Sequence, residues 1–144
     1  MFTEGKRVIN GTWGEVWLDS ELVAECYGLQ LKVSTRKEDV FLCGQMMKDK
    51  KVTATEGTGS LKLYKSSSIM AQKLATAISS GRDLRFTIIS KLADPDAYGA
   101  ERVSVSGVSF DDLTLADWER GKNGTVEAPF TFTKFEYLDM IPEE

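Results

Sequence analysis

Apolar residues along most of this 144-residue chain recur at every second position, the period of a strand with one buried and one wet face. Leu29, Leu31 and Val33 alternate with Gln30, Lys32 and Ser34, and Val126, Ala128, Phe130 and Phe132 alternate with Thr125, Glu127, Thr131 and Thr133. Pro129 falls on the outer set, which points to an edge strand or to a position needing no ladder donor. Leu84, Phe86 and Ile88 mark a strand within residues 83–91, and Val103 and Val105 mark another. In the latter the phase slips at Gly107 and restarts at Val108 and Phe110. Residues 52–65 read as a strand with a bulge or kink at Gly57-Thr58-Gly59, and Trp13–Leu18 with Glu21–Thr35 as a hairpin across Asp19-Ser20. One stretch, residues 66–81, keeps a different period. Met70, Leu74, Ala77 and Ile78 stand at i, i+4, i+7 and i+8, one face of a helix. A serine run offers N-caps, and Gly81 can adopt the left-handed conformation that ends a helix. The pattern predicts six or seven strands and one helix, a sandwich or curled pair of sheets with the helix as scaffold at its side.

Residues 36–51, RKEDVFLCGQMMKDKK, fit neither period. Charges stand at both ends, with Val40, Phe41, Leu42, Cys43, Met46 and Met47 between them. This reads as a long inter-strand loop, and such apolar residues are not left in water without reason. Either the loop folds back over its own core or it docks on another subunit; the pattern alone leaves both open. In the connection from Asp111 to Gly124, Leu113, Leu115 and Trp118 are expected to pin the loop to the body. Phe135, Tyr137, Leu138 and Ile141 form a short apolar tail expected to pack back.

Composition excludes more than it selects. The length suits one domain, residues 1–144, with residues 1–12 as an N-terminal arm. The net charge of −4 gives no basic footprint for nucleic acid. No apolar run reaches membrane-spanning length and the N-terminus lacks a signal-peptide core, so no membrane anchor is expected. Cys26 and Cys43 read as free thiols of a reducing compartment. There is no histidine, which removes the commonest general base and zinc ligand. The acidic pairs Asp94/Asp96 and Asp111/Asp112 have the chemistry for calcium or magnesium binding or acid–base work, but both read as turn chemistry. Lys48, Lys50 and Lys51 read as a solvated flank. No catalytic, cofactor or metal site is expected. What remains is binding or assembly, in which strand edges are buried by joining copies of the chain.

Several segments carry a resemblance. DLRFTIISKLADPDAYGA (83–100), ERVSVSGVSFDDLTLADWE (101–119) and VEAPFTFTKFEYLD (126–139), with NGTWGEVWLDSELVAE (10–25) and CGQM (43–46), resemble the tail-tube proteins of PBSX-like defective prophages and related contractile phage tails. Ser20 departs from the Gly expected in the hairpin turn, which bears on the turn type. The resemblance implies two packed antiparallel sheets flanked by a helix, six subunits per ring, and inner sheets joined into a continuous β-barrel around a lumen. It implies stacking through the N-terminal arm and the 36–51 loop, which makes Val40, Phe41, Leu42, Met46, Met47 and Lys48, with Arg7, Val8 and Trp13, the candidate interface. Implied partners are other copies of the chain, a contractile sheath, baseplate or tail-tip proteins, a tape-measure protein, and DNA sliding through without specific binding, a passage an acidic chain would suit. Assembly in the host bacterial cytoplasm and residence in a virion or phage-like tail follow. The alternatives are a monomeric small β-barrel with the 36–51 loop as a lid over a ligand, or a hub or baseplate ring of the same fold.

Overall fold

The computed structural model describes residues 5–8, 10–23, 26–65, 69–81, 83–95, 99–112 and 115–141. Two single 3₁₀ turns, Gly5–Arg7 and Gly11–Trp13, lead into eight strands and one α-helix: β1 (Gly14–Leu18), β2 (Glu21–Leu22), β3 (Cys26–Val40), β4 (Asp49–Tyr64), α1 (Ile69–Ser79), β5 (Phe86–Leu92), β6 (Glu101–Phe110), β7 (Thr125–Phe132) and β8 (Lys134–Asp139). All pairings are antiparallel, and the strands form one connected network, β2-β1-β5-β6-β7-β4-β3, with β8 also on β6. The structure thus has one eight-stranded network, not two separate sheets, and it is not a closed barrel.

The junction is a strand that changes partners. β7 lies along β4 from Gly57↔Phe132 to Tyr64↔Thr125. Its end also meets β6 at Ser109↔Thr131 and Phe110↔Phe130, and β8 then continues along the same edge of β6. Such corner strands turn one sheet onto another. The strands β3, β4 and β7 form one arm, and β1, β2, β5, β6 and β8 the other. Both arms feed one core: Leu18, Ile88, Val105 and Val108 from one side, Leu61, Leu63, Ala128 and Phe130 from the other. The Phe86, Phe110 and Phe130 rings cross the junction with centroids 5.7 and 5.6 Å apart.

Alternation reads true where one face is covered. Ala128, Phe130 and Phe132 are buried, and Val126 is half-buried. Pro129 stands opposite Ser60 inside the network, not at an edge. Its carbonyl accepts the Asp111 N–H at 2.9 Å, and its ring nitrogen faces the same side, where β6 has just ended. The slip at Gly107 is a bulge: Val105 to Val108 oppose Ile88 to Phe86, and Gly107 has φ +68°. At Gly57 and Gly59 the expected bulge is absent, because pairing runs through both residues on both sides. Phe132 and Phe130 stand directly opposite, and a Cβ on either glycine would meet a ring carbon at 2.4 or 2.7 Å. The glycines are slots for aromatic rings.

Other expectations change. Leu84 precedes β5 and is exposed. β2 has only two residues, so the Asp19-Ser20 hairpin is short; both turn residues have positive φ, 47° and 73°, the type I′ geometry. Helix α1 runs from Ile69 to Ser79, and Gly81, in the turn that follows, has φ +68°. The serines 66–68 and the side chains of Met70, Leu74 and Ala77 lie outside the described residues, while Ile78 is exposed. An ion pair from Lys73 to Glu21 ties the helix to β2.

Candidate assembly surface

Strand β4 is covered by β7 only from Gly57 to Tyr64. Its first half, Asp49–Glu56, pairs with β3 alone, and the two strands leave the body as a ribbon. The 36–51 segment is therefore half strand: β3 runs to Val40, β4 starts at Asp49, and residues 41–48 form the tip. It does not fold back as a lid. With both faces in water there is no burial to fix register, so the ribbon is held by side-chain pairs across it. Glu38 stands opposite Lys51 and Asp39 opposite Lys50. Lys48 Nζ lies 3.3 Å from Asp39 Oδ2. At the register shift after Arg36, the Thr53 hydroxyl donates to the Arg36 carbonyl at 3.3 Å.

The tip turns through Gly44, φ +79°. Phe41, Leu42, Met46 and Met47 are all exposed there, Met46 completely, and Val40 is half-buried at the base. The remaining candidates sit elsewhere. Arg7 closes the first 3₁₀ turn, its side chain outside the described residues; Val8 and Trp13 are exposed. This N-terminal segment is tied to the β1–β5 arm. The Asn10 N–H donates to buried Asp94 at 2.9 Å, the Asn10 side chain accepts from Thr12, and the Ala93 N–H donates to Trp13 O at 3.5 Å. The structure thus groups the six tip candidates and leaves Arg7, Val8 and Trp13 on a different element.

Among the described residues β3 pairs only with β4 along its whole length, which leaves a 15-residue strand with a free edge. β8 likewise pairs only with β6, and all six of its residues are exposed. A cleft of about 830 Å³ opens between β1 and the start of β3, lined in part by Val16, Leu22, Val23 and Tyr27. Long unblocked edges are templates for pairing with another chain.

The sequence profile of phage tail tube proteins matches residues 1–139. The chain is 30% identical over 145 residues to the phage-like element PBSX protein XkdM of Bacillus subtilis (strain 168), covering 99% of both chains. The chain belongs to the phage tail tube protein family. Solved structures agree in fold: a chain of the sheath–tube complex of the PVC extracellular contractile injection system, in its extended state, superposes with TM-score 0.73 at 10% identity over 96% of this chain and all of that one. A chain of the anti-feeding prophage tube-terminating cap gives 0.74 at 12% over 97% and 95%. This is a structural component of a tail tube, and the family and fold are those of structural proteins, not enzymes.

For a tail tube protein the informative side chains are those that apolar patterning assigned to the monomer's own core and the structure leaves in water. Leu115 and Trp118 do not pin their loop: Trp118 is 77% exposed, and Leu113 lies outside the described residues. Phe135 and Tyr137 do not pack back. They stand opposite Val105 and Val103 and extend the core face onto β8, where nothing covers them; Phe135 is 57% exposed against 1% for Val105. Their period-two spacing was a usable signal for a strand, whereas Leu115 and Trp118 carried none. Tyr27 and Tyr64 form a further exposed pair, ring centroids 4.5 Å apart. Among the described residues no group of three or more Cys, Asp or Glu is placed to hold a metal. Asp94 serves as an anchor for the N-terminal backbone.

Proposed function

We propose that six copies of this chain close into a ring, that the β3–β4–β7 arms join through their free edges into a continuous wall around a lumen, and that rings stack through the ribbon tip and the N-terminal segment. The observation that carries this reading is the ribbon: two strands leave the body, are wet on both faces, and end in Phe41, Leu42, Met46 and Met47. A solitary two-stranded ribbon is marginal in water, and its apolar tip gains burial only against another molecule. A sheath outside, baseplate or tail-tip proteins below, and a tape-measure protein or DNA within are the partners this assembly implies. Assembly in a bacterial cytoplasm and no catalytic role follow from the same reading.

Electron microscopy of the purified protein across a concentration series, with light scattering for mass, tests it. Rings and hollow tubes are expected from the intact chain, and rings that do not stack from a variant lacking residues 40–47. Particles of one subunit at every concentration, even with a tail-tip extract as seed, would overturn the proposal.

A further inference from the structure

The two faces of the β3–β4–β7 arm differ in character. The register places Leu29, Leu61 and Ala128 in one row of the inner face, against the core. On the other face the rows read Gln30–Ser60–Pro129 and Lys32–Thr58–Thr131, flanked by Lys62–Glu127 and Ser34–Glu56. At one end of that face Tyr64, opposite Thr125, stacks on Tyr27; the rows named above hold no large apolar side chain. The outward face of the other arm carries Trp17 and Ile89, paired with each other and half-buried. The ribbon tip carries Phe41 and Met46, and β8 carries Phe135. In an assembly that covers exposed apolar surface, the polar face of β3–β4–β7 is the one that stays wet.

We infer that this face, centred on Thr58, Ser60 and Thr131, is the wall of the lumen, and that the wall is charge-balanced, not acidic. The inference rests on the ring reading above. Its inner face is already covered by the β1–β5–β6 arm, which also carries the N-terminal segment. When the β3–β4–β7 arms of successive copies join into a cylinder, the bulkier arm needs the larger circumference and goes outside. The polar face is then concave, where side chains converge and small ones fit; Ser60, Thr58 and Thr131 are small. From the Lys62–Glu127 row to the Ser34–Glu56 row its charges are two lysines, Lys32 and Lys62, and two carboxylates, Glu56 and Glu127, with Lys62 directly opposite Glu127; Arg36 follows where the ribbon leaves the body. The chain's net charge of −4 is therefore carried elsewhere. A wall of hydroxyls and cancelling charges offers a hydrated polyanion neither a row of free cations to bind nor a strong field to repel it.

The test places one thiol on the face. Thr58→Cys in a Cys43→Ser chain is treated with a small maleimide and with a maleimide on a long polyethylene glycol chain, as free subunit and as tube, with microscopy of the same samples. The small reagent is expected to react in both states, and the long one to slow by about tenfold or more in the tube, because thiol reaction follows access. Undiminished reaction with the long reagent would put the face on the outer wall, and loss of both reactions would bury it between subunits; either overturns the assignment. If microscopy shows no rings at all, the ring reading fails and this falls with it. If the variant does not assemble, density of the wild-type tube answers the same question: Thr58 and Ser60 toward the axis support the inference, and any other direction ends it.

Discussion

Gly59 shows what a single hydrogen atom in place of a side chain can do. Its pro-Cβ position lies 2.7 Å from Phe130 ring atoms and 2.6 Å from the Gln30 carbonyl, so a methyl group there displaces either the most buried aromatic ring of the core or the β3 backbone. Gly59→Ala is expected to destabilise the fold by roughly 1–3 kcal/mol, the cost of overpacking, read as a lower urea midpoint at unchanged slope. Ser20 works in the opposite direction. With φ at 73° it occupies a conformation that costs a residue with a Cβ and costs glycine nothing. The turn is stitched to β5 on its Asp19 side, where the Asp19 N–H donates to Thr87 O and the Thr87 N–H to Asp19 Oδ1, both at 2.9 Å, so the geometry is imposed. Ser20→Gly is expected to stabilise by roughly 1 kcal/mol, net of the extra freedom glycine gives the unfolded chain, measured in the same urea titration. The pair also shows why a glycine in a strand is ambiguous in sequence. Gly107 disturbs the alternation around it and so announces a bulge, whereas Gly57 and Gly59 leave it intact, and their ring partners lie some seventy residues away.

At the scale of elements, legibility follows burial. β7, covered on one face, alternates cleanly and reads correctly from its sequence. The ribbon is wet on both faces, so no rule of alternation applies, and Arg36 to Asp39 with Asp49 to Lys51 look like loop flanks although they are strand. β8 reads as a tail that packs back because an apolar pair implies a cover, and the monomer supplies none. What the ribbon does have is opposed charge, Glu38 against Lys51 and Asp39 against Lys50. Exposed pairs of this kind contribute little to global stability, but here they are most of what aligns two strands with no core. Glu38→Lys sets like charges opposite each other. It is expected to leave the urea midpoint of the body unchanged while speeding amide exchange from Glu38 to Lys51 and slowing tube growth. A shifted midpoint with unaltered exchange would mean that the ribbon is held by the body and not by its own charge pairs.

For the whole molecule the exposed apolar surface is a list of contacts waiting for partners, and the two thiols report on two of its regions. Cys43 lies exposed in the ribbon tip beside Leu42. Cys26 is half-buried at the start of β3, its Sγ donating to the Gly28 carbonyl at 3.2 Å. Burial raises its pKa from the ordinary thiol value of 9.0 and outweighs the hydrogen bonds from the Gly28 and Lys62 backbone, which act the other way. A raised thiol pKa keeps the neutral form, and its contribution to stability, in place below that ordinary value; it is lost only as pH rises through the higher folded value. Near pH 8 the thiolate, which is the reactive species, is therefore scarce at half-buried Cys26, while Cys43 lies open to reagent, and alkylation of the free subunit is expected to modify Cys43 first and Cys26 slowly. Stacking then separates the two. If the tip docks on the next ring, Cys43 slows to a crawl in tubes while staying fast in rings of the same mass, and Cys26 keeps its low rate in both if the β3 edge closes the ring first. Followed by mass spectrometry during assembly, Cys43 protection should appear with tube length and not with ring closure. Protection of Cys43 at the ring stage would move the tip from the contact between rings to the contact within one.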